Sequence, residues 1–414
     1  QLYGVHGSER LCGVGLLKRL GRSGTESAEP VSAPGFPSTS HLAALPLVLG
    51  AGSDTDRVPE LRRSFAHLRE ALPHGLLRDE FYLGDSADDL VFGQVDCGIL
   101  FESRLREVLS DWALPQLEIE QVLERQRKVL SVAARGEPNA YYAMVVADGD
   151  SLGQVIDAQE SFQAHRELSD ALVAFSHDSR RIVREHQGEP IYSGRDDVLA
   201  LLPLHRALTC TRALANGFRE QMSEWTTRSG LGTTLSAGVA VVHHLMPLDH
   251  VRRIAREAEA RAKEIEGKNA LCITVARRSG TPVTIAGHWN ELDRRLEKLL
   301  ALRRLDAISE RAGYELEALS RLTGPGPQGE LDNAYVAALE KVQRVEAVRV
   351  LARKRARRGA EQIAEQTLDG LRALLDQQHV SPGALGRELY VATVLARAAQ
   401  QAEAPERASE ENSQ

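Results

Sequence analysis

Two short acidic segments of this 414-residue chain carry residue types that could perform metal-dependent chemistry. Asp148 and Asp150 follow the apolar run YYAMVVA, and Asp196 and Asp197 precede the apolar run VLALL. Neighbouring carboxylates repel one another unless water or a cation neutralises them. Mg²⁺ prefers a few carboxylates together with phosphate oxygens and water. The pattern therefore indicates either two solvated turns or one metal–nucleotide site.

The elements around these segments predict how they come together. The predicted strands are Tyr141–Ala147, Pro190–Tyr192, Val198–Leu202, Thr233–Val242 and Leu271–Ala276, and the predicted helices are Phe162–Gln187, Leu204–Trp225 and Leu248–Glu266. The order β-α-β-β-α-β, with an added α-β, is that of a ferredoxin-like sheet, whose first strand lies beside the hairpin strands. The end of the first strand, with Asp148, then lies beside the hairpin turn with Asp196. Metal ions held there would activate an attacking hydroxyl and stabilise a leaving pyrophosphate.

Composition limits the class of protein. A hydrophobic content of 43% suits a globular core, and the length suggests two to three domains. The net charge of −7 does not mark the whole chain as a polyanion binder. The four cysteines lie far apart, which argues against a disulfide scaffold and favours a reducing cytoplasm. No apolar run reaches the roughly 18–20 residues of a membrane helix. We expect a cytoplasmic protein and, because the chain begins with Gln1, a piece of a longer one.

Changes in composition and in the hydrophobic pattern divide the chain into five segments. They are a Gly-, Ser- and Pro-rich loop (1–40), a mixed α/β linking domain (41–135), the sheet domain with both acidic segments (136–284), an all-α domain (285–402) and a polar, disordered tail (403–414). The predicted fold class is α+β, a ferredoxin-like domain followed by a helical domain. We expect the sheet domain to remain folded without residues 285–414.

Four segments resemble, in order, the palm domain of the large subunit of type III CRISPR RNA-guided effector complexes. They are YYAMVVADGDSLG, IYSGRDDVLALLP, TLSAGVAVVHHLMPLDHVRRIAREAEARAKE and GKNALCITVARRSG. The type III-B, or Cmr-type, branch is the closer match. The family's hairpin motif Gly-Gly-Asp-Asp here becomes Gly194-Arg195-Asp196-Asp197. The resemblance implies the C-terminal portion of such a subunit, with a palm of the nucleotidyl cyclase and polymerase type.

The resemblance also implies a function. In such complexes two palm domains polymerise ATP into cyclic oligoadenylate second messengers when the guide RNA pairs with a target RNA. It implies Mg²⁺ or Mn²⁺ as cofactor, ATP as substrate, and the other effector subunits, guide RNA and target RNA as partners. Asp148 and Asp196 would be metal ligands and, with Asp197, catalytic. The implied nucleotide-binding residues are Gly149, Asp150, Ser151, Gly153, Ser193, Gly194 and Arg195.

Three departures from the family pattern leave alternatives open. The sequence shows one palm, whereas synthesis needs two, and the family's HD nuclease domain and first palm would precede this chain. The segment GSERLCGVGLLKR resembles half of the family's zinc knuckle. Three residues after Cys12, where a second cysteine would complete a C-x-x-C pair, the chain has Gly15. The sequence therefore does not support a zinc site with four ligands. Arg195 would strain a turn with φ > 0, neutralise Asp196 or bind a phosphate oxygen. The alternatives are a palm without catalysis that acts as a scaffold of the complex and, more distantly, a diguanylate-cyclase-like signalling protein.

Overall fold

A computed structural model of the chain describes residues 37–73, 95–230, 232–278, 280–322, 333–353, 364–377 and 380–403. Its strands are β1 (Tyr141–Gly149), β2 (Glu189–Ser193), β3 (Val198–Pro203), β4 (Leu235–His243), β5 (Ala270–Val275) and β6 (Val283–His288). They form one sheet in the order β2-β3-β1-β4-β5-β6. β4 and β5 are parallel, and the other neighbouring pairs are antiparallel. The first four strands therefore have the predicted ferredoxin-like arrangement, with β1 beside the hairpin strand β3.

Helices surround this sheet on both faces. Before it lie α1 (Thr39–Gly52), α2 (Val58–Ala71), α3 (Glu102–Asp111) and α4 (Gln116–Ala133). Between its strands lie α5 (Leu152–Asp157), α6 (Phe162–Glu185), α7 (Ala207–Gln221), α8 (Ser223–Ser229) and α9 (Leu248–Lys263). After it follow α10 (Leu292–Arg304), α11 (Arg311–Leu322), α12 (Asn333–Ala352), α13 (Glu365–Leu375) and α14 (Pro382–Ala402). Short 3₁₀ turns occur at Cys97–Leu100 and Leu204–Arg206. Among the described helices, none combines the length and the apolar character that a membrane span requires.

Residue alternation along β1 divides the core between the two faces of the sheet. Ala143, Val145 and Ala147 belong to a core that includes residues of α6, α7 and α14. Tyr142 and Met144 belong to a second core with residues of α1 to α4 and α9. Because successive side chains of a strand point to opposite faces, Asp148 continues the second series and lies on the α9 side.

Helix α9 lies close to the sheet because the residues on both sides of their contact have small side chains. The buried residues of α9 recur at helical spacing and include three alanines: Val251, Ile254, Ala255, Ala258 and Ala262. A Cβ added at Gly238 of β4 would lie 2.1 Å from the backbone nitrogen of Glu259 and 2.5 Å from the carbonyl oxygen of Ala255. The glycine therefore sets the distance between α9 and the sheet, and with it the position of the side chains that α9 presents to β1.

The helical region after the sheet shares a core with it. Strand β6 spans Val283–His288, so the predicted boundary between residues 284 and 285 cuts through a strand. The sequence pattern missed β6 because its alternation covers only six residues and its pairing partner β5 is not visible locally. Leu395 of α14 packs in the same core as Val145 of β1. This shared core does not support the expectation that the sheet domain folds without residues 285–414.

The other predicted segments fall partly outside the described residues. The described parts of segment 41–135 contain only helices, and because residues 74–94 lie outside them, its assignment as mixed α/β stays a prediction. Of segment 1–40, only residues 37–40 are described, and there Ser38 caps α1 by accepting a hydrogen bond from the His41 backbone N–H. Cys12, and thus the zinc knuckle, lies outside the described residues, as does the tail beyond Glu403.

Candidate functional site

The turn between β2 and β3 brings the second acidic segment to the end of β1. Val198 of β3 pairs with Ala147 of β1, and the Gly194 backbone N–H closes the turn by donating to the Asp197 carbonyl at 2.8 Å. A Cβ added at Gly149 would lie 3.1 Å from the Cβ of Asp196 and 2.9 Å from the Phe218 ring. Glycine at this position therefore allows the acidic turn to lie directly against the end of β1. The two acidic segments lie side by side.

A cleft opens on the α9 side of this junction. Its volume is about 590 Å³. The lining residues come from β1, the hairpin and α9: Val146, Ala147, Asp148, Tyr192, Asp197, Val198, Leu199, Arg256, Glu259 and Lys263. Asp148 and Asp197 both reach this cleft, whereas Asp196 is half-buried beside Gly149 and is not among its lining residues. The cleft thus combines an apolar floor with carboxylates and cations at its walls.

Lys263 links two carboxylates in the cleft. Its ammonium forms ion pairs with Asp148 and, at 3.2 Å, with Glu259 one helical turn earlier. Burial, and to a smaller extent the charge of Lys268, lowers the pKa of Lys263. Sequence reasoning missed both Lys263 and Glu259 because they stand in a highly charged helix. The sequence feature that could have identified them is their i,i+4 spacing, which puts the two side chains next to each other on the helix, beside the alanines that pack against the sheet.

Negative charge is crowded around the hairpin. Burial raises the pKa of Asp196, and the neighbouring charge of Asp197 raises it further. Burial also raises the pKa of Glu259, with a second contribution from Asp197. Like charges in a partly buried site disfavour the ionised forms, and a bound cation relieves that repulsion. The electrostatics of the site therefore favour binding of positive charge beyond that of Lys263.

Asp150 has a different environment from the other aspartates. It is 2% exposed, and its Oδ2 accepts hydrogen bonds from the Thr234 hydroxyl at 2.8 Å, the Ser236 hydroxyl at 2.9 Å and the Asn269 backbone N–H at 3.1 Å. Its own backbone N–H donates to the Thr234 carbonyl at 2.8 Å. These contacts tie the end of β1 to the starts of β4 and β5. They give Asp150 a structural role next to the cleft.

The remaining predicted residues have varied surroundings. Ser193 is buried, and its hydroxyl donates to the Ser176 carbonyl at 2.8 Å. Ser151 precedes α5 with φ of +58°, and a Cβ added at Gly153 would meet no atom within 4 Å. Arg195 is exposed, lacks a positive φ and has no ion-pair partner in the described part of the chain. The strain considered for Arg195 from the sequence therefore does not arise.

The donor set fits a divalent cation that shares its coordination with a phosphate. Across the described ranges, no three or more His, Cys, Asp or Glu side chains are grouped so that they could hold a metal ion by themselves. Mg²⁺ usually takes one or two carboxylates, with substrate phosphates and water completing its octahedron. Asp148 and Asp196, on adjoining segments, could supply the carboxylates, and the cleft beside them has room for the phosphates.

The chain is similar to parts of several known proteins. Residues 141–272 match the family model of the second palm domain of Cas10/Cmr2. The Cmr2 subunit of the CRISPR system Cmr of Pyrococcus furiosus is 30% identical over 218 residues, which covers 45% of this chain and 25% of that subunit. The apo structure of the Type III-B Cmr-beta complex aligns over 88% of this chain and 47% of its own, with a TM-score of 0.51 and 13% identity. A Csm1–Csm4 cassette in complex with cA4 aligns over 63% of this chain and 36% of its own, with a TM-score of 0.37 and 14% identity.

Proposed function

Because residues 141–272 match the family model of the second palm domain of Cas10/Cmr2, we propose that this chain supplies the nucleotide-binding palm of a type III RNA-guided effector complex. The cleft beside Asp148 binds ATP with Mg²⁺ or Mn²⁺ and forms one half of a site that makes cyclic oligoadenylates. This chain spans about a quarter of its Cmr2 relative, and its described residues contain one palm. The other half of the site is contributed by a second palm.

The observation that carries this proposal is the meeting of Asp148, Asp197 and Lys263 in one cleft at the end of β1. Carboxylates bind divalent cations, and an ammonium binds phosphate oxygens as a compact charge. A nucleotide triphosphate with its metal needs both kinds of group within a few ångströms. A solvated surface turn, the alternative for an isolated Asp-Asp pair, would not place a lysine of a distant helix on Asp148.

Four residues in or beside the cleft have distinct tasks in this proposal. Asp148 and Asp196 would hold the divalent ion, which neutralises charge on the phosphates and activates the attacking hydroxyl when it is bound. Lys263, released from its ion pair with Asp148, follows the phosphates on its flexible stem. Tyr192 is 56% exposed at the cleft, and its ring offers a surface for the adenine base.

The second candidate function is a scaffold whose palm has lost catalysis. The feature that favours it is Arg195, where the family motif has glycine. In the folded chain Arg195 is exposed, without positive φ and without an ion pair to Asp196 or Asp197. The charge of Arg195 lowers the pKa of Asp196, but the opposing effects of burial and of the Asp197 charge are larger, so the arginine does not neutralise the acidic turn. The surroundings of Arg195 therefore support the enzyme over the scaffold.

Isothermal titration of ATP in the presence of Mn²⁺ against the 414-residue chain tests nucleotide binding. We expect Asp148→Asn, Asp196→Asn and Lys263→Met each to weaken binding about tenfold or more, since each removes one charge-assisted contact. Asp249→Asn is the matched control, because Asp249 is a largely exposed aspartate at the first turn of the same helix α9. Equal affinities in all of these proteins would reject the proposed site.

Synthesis is tested in the assembled, target-activated complex that contains the second palm. If Arg195 neutralised Asp196, which is one of the possibilities that the sequence leaves open, Arg195→Gly would raise oligoadenylate output. With Arg195 exposed and unpaired in the described structure, we now expect the variant and the parent to agree within about twofold. If neither protein forms oligoadenylate while Asp148→Asn leaves the complex assembled, the scaffold function is correct.

A further inference from the structure

A cationic groove lies at the other end of the sheet. Two adjoining cavities of about 390 and 250 Å³ form it. Its lining combines three arginines with an aromatic and an acidic side chain: Arg277, Arg321, Arg387, Tyr314 and Glu317. Arg277 follows β5, whose Val275 pairs with Val241, whereas Asp148 pairs with Ser236 near the start of β4. At ~3.3 Å per strand residue, the groove is roughly 20 Å from the cleft.

The groove owes its shape to a close crossing of α11 and α14. A Cβ added at Gly313 would lie 2.8 Å from the Gly386 carbonyl oxygen, and one added at Gly386 would lie 2.7 Å from the Gly313 carbonyl oxygen. Two glycines therefore let these helix backbones touch. Tyr314 follows the crossing on α11, and Arg387 follows it on α14. The crossing holds these two side chains on one surface beside the end of β5.

Arg277 is held in the groove by aromatic stacking. Its guanidinium lies 4.2 Å from the ring centroid of Tyr390 and 5.6 Å from that of Tyr314. Its Nε and Nη2 are buried and have no hydrogen-bond partner in the described part of the chain. Buried donors without partners cost free energy, so this guanidinium is oriented but incompletely satisfied. An anion in the groove would supply the missing acceptors.

The charge of the groove is positive in an otherwise acidic protein. Three arginines face one carboxylate, Glu317, in a chain whose net charge is −7. Glu317 binds Arg321 at 2.7 Å, but the Arg321 side chain remains 75% exposed. Such an ion pair is weak, so Arg321 can turn to another anion. Tyr314 is 49% exposed and adds an aromatic surface beside these cations.

We propose that this groove binds a single-stranded polynucleotide. The phosphates contact Arg277, Arg321 and Arg387, and one base stacks on Tyr314. A positive groove that carries an exposed aromatic ring is the arrangement by which proteins hold single strands without reading their sequence. An acidic peptide would match the charge but would not use the exposed part of the Tyr314 ring for stacking. The site needs neither the metal nor the nucleotide of the cleft.

Fluorescence anisotropy with a fluorescein-labelled 12-nucleotide oligo(U), and in parallel oligo(dT), tests the proposal on the 414-residue chain. We expect Arg321→Glu to weaken binding at least tenfold and to reduce the slope of log K against log salt by about 0.7 for each lost phosphate contact. Tyr314→Leu, which keeps an apolar side chain at the groove, should weaken binding about fivefold or more through lost stacking. Arg181→Glu is the control, since Arg181 is an exposed arginine of α6 outside the groove.

Circular dichroism is the measurement that checks whether each variant is folded. The Arg321 side chain is 75% exposed, so we expect its replacement to leave the core intact. Asp197→Asn should bind the oligonucleotide like the parent, because Asp197 lies in the cleft and not in the groove. Unchanged affinity of Arg321→Glu would overturn the proposal, as would displacement of oligo(U) by ATP alone or by a polyglutamate peptide at equal charge. Loss of binding in Asp197→Asn would assign the strand to the cleft instead. Oligo(U) and oligo(dT) of equal affinity would show that the ribose hydroxyl is not recognised.

Discussion

Two aspartates separated by one glycine have opposite environments at the end of β1. The carboxylate of Asp148 is 27% exposed and reaches the cleft, where it meets Lys263. Asp150 is buried, and one of its oxygens accepts three hydrogen bonds while the other has no partner among the described residues. Burial raises the pKa of Asp150 above its ordinary value of 3.8, although the hydrogen bonds oppose this effect. The same residue type therefore lines the cleft at one position and joins β1 to the residues at the starts of β4 and β5 at the other.

The environment of Asp150 predicts a stabilising substitution. Because its pKa is higher in the folded state, the folded chain holds the proton more tightly, and stability falls as the pH rises from 3.8 through the raised pKa. Asp150→Asn removes the buried charge and keeps an oxygen that accepts the three hydrogen bonds. We expect its free energy of unfolding to equal or exceed that of the parent at pH 7, with the difference shrinking toward pH 4.

Urea denaturation at several pH values measures this effect. The comparison variant Asp150→Ala leaves the hydroxyls of Thr234 and Ser236 without their acceptor and should lose about 1–3 kcal/mol. Mn²⁺-dependent ATP binding by Asp150→Asn should match the parent. A tenfold loss of ATP affinity in a stable Asp150→Asn protein would return Asp150 to the nucleotide site, where the sequence placed it.

Sequence reasoning found residues at the site better than it found their roles. The apolar runs before Asp148 and after Asp197 located both acidic segments, because a strand pattern and a tight turn are local features. The burial of Asp150 and the hydrogen bond from the Ser193 hydroxyl to α6 depend on residues that are distant in the chain. The local sequence pattern therefore could not distinguish these two buried side chains from the exposed carboxylates beside them. Lys263 escaped notice for the same reason, since its contact with Asp148 crosses from α9 to β1.

At the scale of elements, the strand that the sequence missed supports the loop behind the cleft. The His288 ring nitrogen Nδ1 at the end of β6 lies 3.0 Å from the Lys268 carbonyl oxygen. The next residue, Trp289, donates its indole N–H to the Leu235 carbonyl at 2.8 Å and its backbone N–H to the Asn269 carbonyl at 3.0 Å. Asn269 in turn donates to Asp150. β6 thus belongs to the framework of the site.

The contact between α9 and β4 predicts a substitution that acts on the site from outside it. In Gly238→Ala the new Cβ would overlap the backbone of α9 at Glu259 and Ala255, so the helix must move outward. Overpacking of this kind typically costs about 1–3 kcal/mol. The displacement also carries Lys263 away from Asp148. We expect both a lower midpoint of urea denaturation and weaker Mn²⁺-dependent ATP binding.

Gly370 provides a matched control that tests whether the effect of Gly238→Ala depends on where the glycine lies. Gly370 lies in α13, and a Cβ added there would meet no atom within 4 Å. Gly370→Ala should therefore stabilise the chain by roughly 0.5–1 kcal/mol, because alanine favours the helix and lowers the conformational entropy of the unfolded chain. If Gly238→Ala bound ATP as tightly as the parent while losing stability, the position of α9 would be irrelevant to the nucleotide.

At the scale of the whole molecule, the sheet and the C-terminal helices form one folding unit. Leu292, Leu296, Val391 and Leu395 of α10 and α14 are buried in the core that also contains Ala143 and Val145. Arg295 and Glu388 add a bidentate ion pair between α10 and α14, with side chains only 13% and 5% exposed. Gly50 of α1 approaches α14 so closely that an added Cβ would lie 1.9 Å from the Gln401 carbonyl oxygen. Helix α14 therefore connects the N-terminal helices to the sheet.

This arrangement predicts that a chain ending at His288 will not form a native sheet domain, in contrast to the expectation from the sequence pattern. Burial of a large aliphatic side chain contributes about 1.5–3 kcal/mol, so loss of four of them removes roughly 6–12 kcal/mol from a typical stability of about 5–15 kcal/mol. We expect the truncated chain to lack a cooperative thermal transition in near-ultraviolet circular dichroism, whereas a chain ending at Glu403 keeps these contacts and melts in one transition. A truncated chain that melted cooperatively and bound ATP with Mn²⁺ would show that the sheet domain folds alone and that α14 is only docked on it.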